Sequence, residues 1–181
     1  MRAAVAILGL LLLGTAPVNQ TIAAAASSQI GVTTIYDPSY VQLRYPGGDL
    51  PRQRGVCADV VVRAFRAAGI DLQREVHEDM RRNFAVYPRN WGLRTPDANI
   101  DHRRVPNLMT FFTRRGKIVS GAFDAGDVVA WRLQGGLYHI GIVAADVVPG
   151  TTRHYMVHNI GNGAQKEDVL NAFAIIGHYR W

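Results

Sequence analysis

The chain carries one cysteine, Cys57, and six histidines. A single thiol cannot close an intramolecular bridge, so it is held between chains, buried and inert, or kept as a reactive group. Its position favours the last. Around "RGVCADVVVRAF" apolar residues recur at helical spacing: Val56, Val60, Ala64 and Ala67 form one stripe, Cys57, Val61, Ala64 and Ala68 another, and Gly69 supplies a stop. The helix therefore starts near Gly55 to Cys57. A thiol in that first turn faces the positive end of the helix dipole, which is expected to lower its pKa and raise its thiolate fraction.

A thiolate nucleophile needs a base within hydrogen-bond reach and a third group that orients the base. His77 falls in "DLQREVHEDMRRNF", a polar helical stretch capped by Asp71, and is expected on the surface. His102 lies in the loop "NIDHRRVPNL" and His178 in the terminal "IIGHYRW". The other three belong to predicted strands. Gly126 to Leu133 leads through Gln134-Gly135-Gly136 into Tyr138 to Asp146, "VVPGTT" turns, and "HYMVHNI" returns. Alternation puts His139, Gly141 and Val143 on one face of their strand, and His154, Met156 and His158 on one face of the next. A hairpin symmetric about Pro149-Gly150 sets Gly141 opposite His158, with His139 diagonal to His158 at roughly 7 Å. The missing side chain at Gly141 leaves room for the two rings, whereas a one-residue slip would separate them.

The elements that position these groups sit behind an unusual N-terminus. Met1-Arg2, the apolar run Ala3 to Val18 and the tract Ala23 to Ala26 have the form of a secretory leader over residues 1–26, with cleavage expected within Ala24 to Ala26. The run is shorter than the roughly 20 apolar residues that span a bilayer, so no stable membrane insertion is expected after cleavage. Residues 27–181 then form a single domain in an exported protein, periplasmic or extracellular, long enough for a real core. The net charge is +6, carried almost wholly by arginine, which suits an anionic partner such as cell wall. No nucleic-acid motif accompanies that charge, and no cofactor or metal is called for.

At these residues a family resemblance enters. "YPGGDLPRQRGVCADVV" resembles the Tyr-x-x-Gly-Gly…Cys segment of NlpC-type cell-wall peptidases, a branch of the papain-like superfamily. "GDVVAW…HIGIV…VHN" resembles their Gly-Asp strand, histidine strand and third-residue strand. "GVCADVVVRAFRAAGIDLQ", "VHEDM", "NIDHRRVPNL" and "GHYR" are similar to an uncharacterised bacterial secreted family, a domain of unknown function placed in that superfamily. The resemblance runs from Tyr36 to the C-terminus. It implies an α+β, papain-like fold, with an N-terminal nucleophile helix packed on a small antiparallel β-sheet. It also implies a thiol amidase or endopeptidase acting on peptidoglycan stem peptides: Cys57 attacks the amide, His139 moves the proton, and His158 orients His139. Tyr45 matches a tyrosine that lines the site in such enzymes. Ala58-Asp59 stands where the typical peptidase has Ser-Gly, and the hairpin between the histidines is longer than usual.

Further residues are candidates for substrate binding. Asp101, His102 and Arg103, with Arg104, could hold stem-peptide carboxylates, because arginine pairs with them bidentately, or could form a solvated loop. Asn159 is an alternative third residue, although alternation turns it from the face of His158. Asp59 could bond near the helix start, or simply satisfy a turn. Two rival functions follow from the same residues. A zinc hydrolase would use His139 and Asp146 with His154 or His158, but lacks the His-x-His pair of wall metallopeptidases. A catalytically silent papain-like module would bind wall or a partner protein without cutting it.

Overall fold

A computed structural model describes residues 17–181. Among the described residues α1 (Val18–Ser27), α2 (Cys57–Ala67) and α4 (Val105–Arg114) pack on one face of a five-stranded sheet, and α3 (Leu72–Asn83) packs on α2 and α4. Two short parallel strands, β1 (Ile35–Tyr36) and β2 (Arg54–Gly55), flank the entry to α2. The sheet contains β3 (Val128–Arg132), β4 (Tyr138–Val147), β5 (His154–His158), β6 (Gln165–Glu167) and β7 (Ala174–Tyr179), in the order β6-β5-β4-β3-β7, antiparallel throughout. The architecture is thus α+β.

Helix α2 is the central element. Cys57, Ala58, Asp59, Val60, Val61, Val62, Ala64 and Phe65 are all buried, so its surface is covered nearly all round. The valine run disfavours a helix intrinsically; burial against α1, β4 and β5 outweighs a preference of only tenths of a kcal/mol per residue. The chain leaves the helix through Gly69, at φ +81°, a left-handed conformation suited to glycine.

The sheet separates two apolar layers. Val128, Ala130, Ile140, Ile142, Ala144 and Val157 face the helices. Val129, Trp131, Val143 and Met156 face the other way, under Leu170. The expected register is present: Gly141 pairs with His158, and Ile142 with Val157. A shift between Val143 and Val147 then moves the far end, where Val147 pairs with His154, so the hairpin is symmetric only beside the histidines.

The leader expected over residues 1–26 falls partly outside the described residues, which begin at Pro17. The described part is helical and packed. Ile22, Ala23 and Ala26 are buried in the same core as α2, and α1 lies against α2 and β4. Gln29, just past α1, donates from Nε2 to the Val60 carbonyl at 2.9 Å. A boundary within Ala24 to Ala26 would cut through this helix; small residues that suit a cleavage site also let two helices approach closely.

Candidate functional site

Cys57 is the first residue of α2, and its position is fixed by a side chain of α2 itself and by side chains from two other segments. Val56, at the helix cap, has no acceptor of its own, so Asp59 reaches back and accepts the Val56 N–H at 2.7 Å. Arg103 grips the same carboxylate with Nε at 2.9 Å and Nη2 at 3.0 Å. It also donates from Nη1 to the Ser39 carbonyl and from Nη2 to the Asp37 carbonyl. From the sheet, Asn159 donates to the Gly55 carbonyl at 2.9 Å. Gly55, two residues before the cysteine, is thereby tied to the residue that follows β5, and segment 37–39 is tied to α2.

Cys57 is among the residues that line a groove of about 620 Å³, walled also by Tyr36, Tyr40, Trp91, Arg104 and Tyr138. Cys57 itself is only 6 % exposed. The neighbouring main-chain groups of Ile140, Ala58 and Cys57 favour the ionised form, but burial dominates and pushes the thiol up to about 12. The lowered pKa expected from the helix dipole is therefore corrected: a partial charge at a helix end does not offset loss of water around the thiolate. The resting group is a neutral thiol.

His139 and His158 are brought together. His139 Nε2 lies 2.9 Å from His158 Nδ1, with ring centroids 5.0 Å apart and edge to face. Trp131 stacks on His139 at 5.6 Å. Burial lowers His139 to about 3, with the neighbouring His158 adding to the effect, so His139 is neutral at working pH. His158 is also lowered by burial, against the opposing pull of Glu167. Glu167 Oε2 sits 3.0 Å from His158 Nε2, within ion-pair distance. That carboxylate favours a proton on His158 Nε2. His158 Nδ1 is then an acceptor, His139 donates from Nε2, and His139 Nδ1 is left as the basic nitrogen.

Cys57 and His139 are less closely joined than their types suggest. The sulfur meets the main chain of Ile140, the residue after His139, and makes no hydrogen bond with the His139 ring. The rings of His139 and His158 lie with Trp131, whereas Ile140 and Cys57 belong to the helix-side core. The imidazole pair is thus assembled, and the thiol adjoins its strand without being bonded to it.

The remaining candidates are placed elsewhere. Tyr45 does not wall the groove; it bonds Glu78 on α3 at 3.0 Å and packs edge-on against His77. Tyr36 takes the place beside the thiol, its pKa raised first by burial and then by the neighbouring Cys57. Asp101 and His102 are buried away from the groove. Asp101 accepts the Asp97 N–H at 2.6 Å, with His77 at 3.4 Å, and burial raises it to about 6. His102 is packed into the interior and pushed down to about 3 by burial. Arg103 borders the groove but is committed to Asp59 and two carbonyls, and Asp59 is a helix-capping partner. His77 is half-buried against Asp101 rather than free on the surface. Asn159 fastens the approach to Cys57 instead of orienting His139. Among the described residues no three His, Cys, Asp or Glu side chains gather to hold a metal ion. Asp146, which the zinc reading required, pairs with Lys166. No helix among the described residues is long and apolar enough to cross a membrane.

Sequence reasoning missed Tyr36 and Glu167, whereas Arg104, named there among possible carboxylate partners, does border the groove. Glu167 had one available signal: the polar strand "QKE" follows "VHN" at hairpin distance and so returns a carboxylate beside His158.

These features define an α+β protein with a thiol at a helix start, a histidine pair on the adjoining sheet, and an aromatic groove over the thiol. Residues 23–181 match the family described as a domain of unknown function, DUF1287, and the chain belongs to that family. It is 54 % identical over 168 residues to "Uncharacterized protein YijF" of Escherichia coli (strain K12), an alignment covering 90 % of this chain and 82 % of that protein. No solved structure matches it.

Proposed function

We propose that this protein is an exported thiol hydrolase with a papain-like, NlpC-type arrangement that cleaves an amide bond in peptidoglycan stem peptides. The observation that carries this reading is Cys57 lining the groove at the head of α2, beside the strand bearing the His139–His158 pair. Cys57 Sγ attacks the amide carbonyl as its proton passes to His139 Nδ1; the C–N bond breaks as that proton goes to the leaving amine, and the acyl-thioester left on Cys57 is cleaved by water, whose proton returns through His139 to the sulfur. His158 holds the His139 ring, with Glu167 behind it. Both thiol and imidazole rest neutral, and the His139 ring lies on the Trp131 side of the sheet while Cys57 lies on the helix side, so this reading requires the His139 ring to leave Trp131 and turn toward the thiol as substrate binds. Catalytic hydrogen bonds that are long without substrate and tighten with it are common. Net positive charge and the arginine-rich surface suit an anionic wall.

A second reading is favoured by the missing Cys57–His139 hydrogen bond and the raised thiol pKa: a silent module that binds wall without cutting it. Mass spectrometry of sacculi treated with the wild-type protein and with Cys57→Ala separates the two. New muropeptide ends from the wild type alone support the hydrolase. Retention on sacculi with no released fragment from either protein supports the module and overturns the hydrolase.

A further inference from the structure

The groove over Cys57 has a distinct charge pattern. No aspartate or glutamate lines it, and its two charged wall residues are Arg103 and Arg104. The first is neutralised within the fold. Arg103 forms a two-point pair with Asp59, its side chain is 2 % exposed, and its other donors reach carbonyls. Arg104 differs. Among the described residues it makes no ion pair with a carboxylate, and its Nη1 is buried without a hydrogen-bond partner. A buried donor left unsatisfied costs about 1–3 kcal/mol, more when charged, so such a group stands out in a folded protein.

The guanidinium is held on a platform. Its Cζ lies 4.8 Å from the centre of the Trp91 ring. Trp91 is 63 % exposed and has φ +59° and ψ +28°, the left-handed region that a bulky side chain seldom adopts. The chain thus tolerates local strain to lay an exposed indole under an arginine at the mouth of the groove. The indole lies against the guanidinium, and no acceptor among the described residues takes the Nη1 N–H groups.

We infer that Arg104, backed by Trp91, is an anchor for a free carboxylate on a peptide lying in the Cys57 groove. A planar fork of N–H donors matches the two oxygens of a carboxylate, and the aromatic walls contributed by Tyr36, Tyr40 and Tyr138 suit a peptide chain beside it. This places substrate selection on Arg104 and assigns Arg103, its sequence neighbour, to holding the fold. The inference rests on the proposed hydrolase reading for the identity of the peptide, but binding itself requires no chemistry at the thiol.

The test uses full-length exported protein carrying Cys57→Ala and two probes: a synthetic stem tetrapeptide with free carboxylates, and the same peptide with every carboxylate converted to a carboxamide. Calorimetry is expected to show the acid form binding about tenfold or more tightly, the range of one charge-assisted two-point contact. Arg104→Gln is expected to bring the two forms within about twofold, and Arg104→Lys to keep part of the preference, with melting temperatures confirming that both variants fold. Equal binding of the two peptides, an acid preference that survives Arg104→Gln, or no binding of either overturns the inference. Displacement of the peptide by an equal concentration of glycerol phosphate also overturns it, by reassigning the site to a phosphate. Parallel digestion with the Cys57 protein keeps the readings apart. Acid-selective binding without cleavage removes the hydrolase and leaves the anchor, whereas cleavage with indifferent binding does the reverse.

Discussion

Gly141 stands opposite His158 in the β4–β5 ladder, and the empty space above its α-carbon is bounded by the histidine pair's own supports. A Cβ at this position would lie 2.9 Å from the Val157 carbonyl oxygen, 3.0 Å from His158 Cβ and 3.2 Å from Trp131 Cζ3. The first contact is with backbone inside a sheet and cannot be relieved by rotating a side chain. Gly141→Ala is therefore expected to cost about 1–3 kcal/mol, the range for overpacking a tight interior, and to part the two imidazoles. Thermal denaturation measures the first effect and imidazole NMR the second. An alanine variant with unchanged melting and an intact His139–His158 signal would show that the glycine is dispensable.

The thiol gives a second expectation. With Cys57 raised to about 12 and almost covered, iodoacetamide should label it slowly at pH 7, and the rate should keep climbing beyond pH 9 with no plateau near neutrality. A plateau at pH 6–7 would mean that the thiolate is stabilised more strongly than its surroundings indicate.

Stability should fall on the acid side. His139 and His102 are both held near 3 by burial, against 6.5 for the model imidazole, so the unfolded chain binds more protons than the folded one between those values. Their contribution is fully present above pH 6.5 and is lost as pH falls toward 3. Asp101, raised from 3.8 to about 6, works in the opposite sense: the folded state takes up its proton first, which offsets part of the loss between those values. The two histidines outweigh one carboxyl, and chemical denaturation at pH 7 and pH 4 should differ by at least about 2 kcal/mol. Replacing His102 by glutamine should flatten this slope; an unchanged slope would show that His102 is not buried in its neutral form.

The Asp59–Arg103 pair holds the groove wall to α2. Arg103→Met leaves a buried carboxylate with only the Val56 N–H, and is expected to cost about 3–5 kcal/mol. Arg103→Met combined with Asp59→Asn should recover a large part of that, because the stranded charge is gone. A double-mutant cycle on melting free energies reads the coupling directly. Additive losses would mean that the two side chains act independently.

What could be read from the chain, and what could not, follows the range of the interactions involved. The β4–β5 register was legible because alternation and a central Pro149-Gly150 turn are local signals, and the later shift at Val143 leaves the histidines untouched. The start of α2 and its stop at Gly69 were legible for the same reason. The Asp59–Arg103 pair spans 44 residues and the His77–Asp101 contact 24, and no periodicity records such meetings. The thiol's position at a helix end was visible, but its burial is a property of the whole fold and reversed the expected direction of its pKa. The alanine tract fits both a cleavage site and a helix that packs closely, and the contacts of Ile22 and Ala26 with the core join segments too far apart in the chain for periodicity to record.

Glu167 offers the sharpest separation of positioning from packing. It is 3.0 Å from His158 Nε2 and has a partly exposed side chain, so changing it disturbs little of the core. Glu167→Gln removes the charge that favours a proton on His158 Nε2 while keeping size and polarity. The His158 tautomer should then be less firmly set, and with it the basic nitrogen of His139. Melting temperature is expected to move by no more than a few degrees. If the protein hydrolyses wall peptides, kcat should fall about tenfold with little change in KM, because Glu167 lies outside the groove and acts through two rings. Imidazole nitrogen NMR provides the readout independent of turnover: the wild type should show His158 protonated at Nε2, and the variant a mixture. Identical tautomers in the two proteins would show that the carboxylate is a bystander and that His158 is oriented by the sheet and Trp131 alone.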